Sequence, residues 1–198
     1  DEHFSLQIFM ALIKKKIKNS RTKPLKDIGP YFKTISDSLS FELTRAQKKV
    51  IREIHSDMKK DACMNRLLQG DVGSGKTIVA ILSAALAVGN NVQVAVMAPT
   101  EILAYQHYES FQKELSKARI TCCLLIGKMN KKDRKILVDN IAAGTISVII
   151  GTHAIIQDDV KFNHLGLVII DEQHRFGVSQ RNKLTKKGMN PHFLSMTA

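Results

Sequence analysis

From residue 66 onward, apolar residues fall into short uninterrupted runs separated by longer stretches with helical spacing. The runs are RLLQG, VQVAVMAP, ITCCLLIG, ISVIIG, LGLVIID and FLSMT. Their β-branched content and lack of polar alternation predict strands covered on both faces. Between them, TIVAILSAALAV follows Gly75 and stops at Gly89, EILAYQHYESFQKEL follows a proline, and a polar helical stretch ends before Gly144. Strands alternating with helices predict an α/β fold, with a mostly parallel central sheet flanked by helices. In such a sheet a ligand sits beyond the carboxyl ends of the strands.

The pattern ahead of this unit is different. Residues 3 to 17, HFSLQIFMALIKKKI, carry apolar positions at helical spacing and run into the basic cluster KKKIKNSRTK and a proline at Pro24. This predicts a leading helix and a basic linker reaching to about residue 38. A further helix is expected from about Thr44 to Met58, with Thr44 as its cap and Ile51 and Ile54 on one face.

Composition narrows the function classes. With 198 residues, of which 44% are apolar, the chain can bury a sizeable core. No segment approaches the roughly 20 apolar residues of a membrane-spanning helix, and the start lacks the basic region of a signal peptide, so a cytoplasmic protein is expected. Three cysteines, two of them adjacent at Cys122 and Cys123, form neither a disulfide framework nor a metal-ligand pattern. Thirty Lys plus Arg against 18 Asp plus Glu leave a net charge of +12, which favours a polyanionic partner or a solvated basic face. The chain does not open with Met and stops just after FLSMT, as expected of a piece of a longer protein.

The chemistry concentrates in two places. GDVGSGKT has the G-x-x-x-x-G-K-[ST] spacing of a phosphate-binding loop at Gly70, Gly75, Lys76 and Thr77, with Gly73 and Ser74 inside it. Glycines let successive N–H groups face a phosphate, and the helix that follows adds its positive end. Lys76 is expected to reach the β and γ phosphates of ATP, and the Thr77 hydroxyl to ligate Mg2+. The second place is LVIIDEQH. Asp171, closing an apolar strand, is placed to hold Mg2+ through its water shell, and Glu172 to orient or deprotonate the attacking water. His153, His164 and His174 have no compact partner of zinc-site spacing.

FELTRAQ, GDVGSGKT, APTEILAYQH, IIGTHAII, DEQHRFGV and SMTA together resemble the motor of superfamily 2 helicases, and more narrowly the first RecA-like motor domain of the RecG family of branch-migrating DNA helicases. The likeness runs from about residue 5 to the end, with only the stretch around 18 to 38 lacking distinctive residues. Transcription-repair coupling translocases share much of the pattern, but usually carry phenylalanine where Ser74 stands and glutamate where Gln173 stands. The resemblance divides the chain into a connector helix and linker over 1–38 and an ATP-binding RecA-like domain over 39–198. It implies that Gln47 reads the adenine edge with Phe41 as a stacking neighbour. It also implies that Pro99, Thr100 and Glu101 form a first nucleic-acid loop, and Gly151, Thr152 and His153 a second. His174, Arg175, Phe176, Ser195 and Thr197 would couple nucleotide state to DNA grip. Read from the residues alone, Thr100 and Thr152 serve equally as phosphate contacts or helix caps. The basic stretch GKMNKKDRK either borders a DNA path or is solvated, and KKKIKNSRTK either lies against DNA or, the favoured reading, joins the motor to an upstream domain.

The resemblance further implies a second RecA-like domain that supplies the arginine completing the γ-phosphate site, and an upstream wedge domain that splits branched DNA. The expected partners are forks and Holliday junctions, acted on by a parent protein that works as a monomer. Without the arginine, transition-state charge is poorly compensated, so the fragment alone should bind nucleotide weakly and hydrolyse it poorly. With no Trp and three Tyr, phosphate contact suits the surface better than base stacking. Two readings stand beside the branch-migrating helicase. One is a duplex-DNA translocase of the transcription-repair coupling kind; the other is a P-loop ATPase that does not act on nucleic acid.

Overall fold

The computed structural model describes residues 21–172, 178–188 and 190–198. The leading helix expected over 3–17 lies outside them, as do His174, Arg175 and Phe176. Helices α1 (Gly29–Asp37) and α2 (Arg45–Met58) precede β1 (Asn65–Gln69), and α3 (Lys76–Gly89) leads to β2 (Gln93–Met97). Then follow α4 (Glu101–Leu115), β3 (Cys122–Leu125), α5 (Lys131–Ala143) and β4 (Val148–Gly151). The remaining elements are β5 (Leu165–Asp171), α6 (Val178–Lys187) and β6 (His192–Thr197).

The six strands form one sheet in the order β1-β6-β5-β2-β4-β3, and every pairing within it is parallel. Successive residues of the central strands point to opposite faces, and both faces are dry. Val94, Val96, Ile150, Leu167, Ile169 and Met196 meet α2, α3 and α4 on one side. Ala95, Met97, Ile149, Val168, Ile170 and Phe193 pack on the other with Ile141 of α5 and Leu184 of α6. This double covering is why the strands carry continuous apolar runs rather than alternating ones.

The stretch expected to be a linker contains α1. Its signal is Gly29-Pro30: proline at the first helical turn needs no N–H donor there, and its fixed φ suits the helix. Leu25 and Ile35 are buried in the same cluster as α3. Gly29 lies so close to Gly89 that a Cβ on it would stand 3.1 Å from the Gly89 Cα. Asn90 completes the seam, donating from Nδ2 to the Asp27 carbonyl at 2.8 Å and accepting the Asp27 N–H on Oδ1 at 3.0 Å. Covered by the sheet and by α1 and α2, α3 is buried continuously from Ile78 to Val88.

Candidate functional site

The carboxyl ends of β1, β6 and β5 lie side by side, and each delivers one part of the site. The loop after β1 is Gly70–Gly75. Gly73 and Gly75 take φ values of +82° and +81°, the left-handed region that glycine enters without a Cβ clash. Gly75 is the N-cap of α3, so the positive end of that helix faces the loop. Lys76 Nζ donates to the Gly70 carbonyl and, at 2.8 Å, to the Asp71 carbonyl. The lysine expected on the phosphates therefore closes the loop on itself in this structure.

Gln47 lies against the same loop. It is the third residue of a capping box on α2, accepting the Thr44 N–H on Oε1 at 2.9 Å while Thr44 Oγ1 accepts the Gln47 N–H at 3.2 Å. Its Nε2 donates to the Ser74 carbonyl at 3.1 Å. Both ends of the amide expected to read adenine thus hold protein atoms, one on α2 and one on the phosphate loop. Phe41 is 52% exposed beside a cleft of about 550 Å³ that Leu39, Leu43 and Lys48 also line.

The loop is joined to the acidic end of β5 through β6. Gly70 N–H donates to the Thr197 carbonyl at 3.3 Å, Gln69 is in register with Thr197, and Met196 with Asp171. Two strand spacings, roughly 10 Å, separate β1 from β5. Ser195 is buried in β6, and its Oγ has no hydrogen-bond partner among the described residues.

Asp171 is held by both carboxylate oxygens. Oδ1 accepts the Glu172 N–H at 3.0 Å, and Oδ2 lies 2.7 Å from His107 Nε2 on α4. Glu172 adopts φ +52°, a left-handed conformation in a non-glycine residue, which costs of order 1–3 kcal/mol and clusters at functional sites. His107 was not singled out by its sequence motif. The available signal is its place in α4: Ala104, Phe111 and Leu115 form the buried stripe, and a histidine three residues from one and four from the next puts a polar group on a core-facing surface.

The two expected nucleic-acid loops are neighbours, because β2 pairs with β4 and the Ala98 N–H donates to the Gly151 carbonyl at 2.9 Å. Thr100 is the N-cap of α4, its Oγ1 accepting the Leu103 N–H at 3.2 Å, and Glu101 opens the helix just after Pro99. Gly151 is required by packing, since a Cβ there would overlap the Leu125 carbonyl oxygen. Thr152 is buried, whereas His153 is exposed with Nε2 at 2.7 Å from Gln180 Nε2 of α6. In the basic stretch after Gly127, Arg134 is committed to Asp159 and Gln157, while Lys131, Lys132 and Lys135 point to solvent.

The donor set suits a nucleotide-borne Mg2+ ion. Among the described residues no cluster of three or more His, Cys, Asp or Glu could enclose a metal. One carboxylate and one hydroxyl, as Asp171 and Thr77 would offer, make the sparse protein contribution that Mg2+ takes when phosphate oxygens and water complete its shell.

The sequence model of the DEAD/DEAH box helicase matches residues 44–198. The chain belongs to the DEAD/DEAH box helicase family. The family implies use of ATP. Among relatives of this helicase domain, the ATP-dependent DNA helicase RecG of Aquifex aeolicus is 48% identical over 200 residues, covering 100% of this chain and 25% of that protein. RecG of Streptococcus pneumoniae is 54% identical over 161 residues, 81% of this chain and 24% of its own length. The chain thus spans about a quarter of the relatives it matches. A solved structure of RecG bound to a three-way DNA junction superposes with a TM-score of 0.87 at 44% identity, over 98% of this chain and 26% of that one. Dbp5 of S. cerevisiae matches at a TM-score of 0.66 and 18% identity, over 87% of this chain and 47% of that one, a likeness of fold alone. The parallel sheet with helices on both faces is therefore a RecA-like helicase domain. Among the described residues no helix is long and apolar enough to cross a membrane.

Proposed function

We propose that the chain is the ATP-binding motor domain of a cytoplasmic ATP-dependent DNA helicase that acts on branched DNA, reversing stalled forks and migrating Holliday junctions. The observation that carries this reading is the row of strand ends. Phosphate loop, β6 terminus, Asp171 and the two candidate DNA loops occupy consecutive positions along one edge of the sheet. Relatives named as RecG helicases, one of them solved on a three-way junction, support the choice of branched DNA.

In this mechanism the phosphates of ATP enter Gly70–Thr77, and Lys76 exchanges the carbonyls of Gly70 and Asp71 for the β and γ phosphate oxygens. Loop N–H groups and the start of α3 stabilise the same charge. Thr77 and Asp171 would hold Mg2+, which would supply neutralisation of charge developing on the phosphate oxygens. Glu172 orients the attacking water and accepts its proton. Gln47 turns its amide to the adenine edge, with Phe41 beside the base. Thr100, Glu101, Thr152 and His153 line the path of the DNA backbone with Pro99 and Gly151. Ser195 and Thr197, together with His174, Arg175 and Phe176, pass the nucleotide state to that path.

A second RecA-like domain of the longer, monomeric protein completes the γ-phosphate site with its arginine, and an upstream wedge domain parts the branch. The 198-residue chain alone is correspondingly weak in hydrolysis. Strand displacement by the full-length protein tests the reading, using linear duplex, a model fork and a Holliday junction with Lys76→Ala as blank. ATP-dependent unwinding of forks and junctions supports it. Movement on linear duplex without branch unwinding assigns the motor to the translocase class, and loss of all DNA dependence in an active ATPase overturns the helicase reading.

A further inference from the structure

The contact between α4 and the end of β5 has no place in the roles assigned so far. We infer that His107 is a positioning residue that fixes the carboxylate plane of Asp171 for magnesium–nucleotide binding. An ionised carboxylate only accepts hydrogen bonds, so His107 Nε2 is the donor across the 2.7 Å to Oδ2, and the Glu172 N–H is the donor on Oδ1. With one donor on each oxygen, rotation of the carboxylate about its last bond is restrained from both sides. Each oxygen keeps a free lone pair for the water shell of a metal.

The surroundings strengthen the restraint. The side chains of His107 and Asp171 are only 11% and 14% exposed, so the hydrogen bond operates in a medium poorer than water at screening it. The imidazole is itself fixed, standing edge-on to Phe111 with ring centroids 6.5 Å apart and planes at 87°. Phe111 is fully buried, which anchors the ring to the core rather than to a mobile surface. Outer partners of this kind orient a metal ligand without touching the metal.

The inference rests on the proposed magnesium–nucleotide site, so its test separates the two. In the full-length protein, binding of a fluorescent ATP analogue is titrated with Mg2+ for wild type, Lys76→Ala, His107→Phe and His107→Gln, with thermal unfolding recorded for each. His107→Phe keeps a ring against Phe111 but removes the donor, and should raise the Mg2+ concentration for half-maximal binding by roughly tenfold. His107→Gln restores an N–H donor at similar reach and should recover most of that loss. An unchanged Mg2+ requirement in a folded His107→Phe protein overturns the positioning role, as does a folded His107→Gln protein no better than His107→Phe. If wild type binds the analogue no better with Mg2+ than without and no better than Lys76→Ala, the underlying nucleotide site fails and the inference falls with it.

Discussion

The glycine loop after β1 and the end of β5 lie two strands apart, yet their side chains are held in opposite ways. At the loop, the key cation is engaged with the protein's own carbonyls, and the loop's Ser74 carbonyl is held by Gln47. At β5, Asp171 is already braced by His107 and by the following N–H. In the proposed mechanism one half of the site exchanges partners when phosphate arrives, whereas the other half is set in advance. The difference follows from chemistry: an N–H-rich glycine loop with a lysine needs an anion and otherwise turns the lysine on itself, while a carboxylate can be satisfied by donors that do not block its metal-facing lone pairs.

Three changes probe that contrast, and a fourth tests a contact away from it. The largest effect is expected from Lys76→Ala, which removes the cation of the exchanging half and should lower ATP hydrolysis of the full-length protein by roughly 10²–10³-fold, measured as phosphate release. Next, Gly75→Ala forces a Cβ into φ +81° and against Gln47 Nε2. The left-handed conformation alone should cost about 1–2 kcal/mol in denaturant unfolding, with weakened nucleotide binding alongside.

Gln47→Ala has a smaller effect on stability. It removes half of the α2 capping box and the tether to Ser74, each hydrogen bond worth about 0.5–1.5 kcal/mol. The informative readout is competition between ATP and GTP, in which the variant should lose its preference for ATP. If preference survives, the amide serves the loop and not the base.

The smallest effect concerns the opposite end of β6. His192 Nδ1 accepts the Met64 N–H at 3.1 Å and so ties β6 to the entry of β1. Burial holds this imidazole below its ordinary 6.5, outweighing the raising influence of its Lys23 and Asp57 surroundings. The unfolded chain therefore takes up the proton first as pH falls. Stability is fully present above pH 6.5 and is lost as pH falls from there through the folded value. A fall in thermal or urea stability is expected over that range, and His192→Gln should flatten the slope.

Much of this was legible from residue order. Uninterrupted apolar runs specify a sheet covered on both faces, and each of its six strands falls on one of those runs, with ends that differ by at most two residues. Thr44 acts as the cap that its position suggested, with Gln47 completing the box. GDVGSGKT announces its glycine conformations because few residues other than glycine tolerate them. Three features were hidden for physical reasons. Helix α1 is short, opens on Gly29-Pro30 and follows the basic cluster KKKIKNSRTK, so its stretch reads as part of a linker, and its burial depends on Gly89 and Asn90, about sixty residues away in the chain. The partners of Lys76 are backbone carbonyls, which leave no mark in a sequence. The His107–Asp171 contact joins residues 64 apart, and only the polar intrusion into the buried stripe of α4 hinted at it.

The partners of Lys76 Nζ and Asp171 in a structure of the full-length protein with a non-hydrolysable ATP analogue and Mg2+ decide whether the loop exchanges and the carboxylate stays. Phosphates are expected in Gly70–Thr77, with Lys76 moved from the Gly70 and Asp71 carbonyls onto phosphate oxygens and the His107–Asp171 contact retained beside the metal. Nucleotide bound away from this loop, with Lys76 still on those carbonyls, would contradict the exchange.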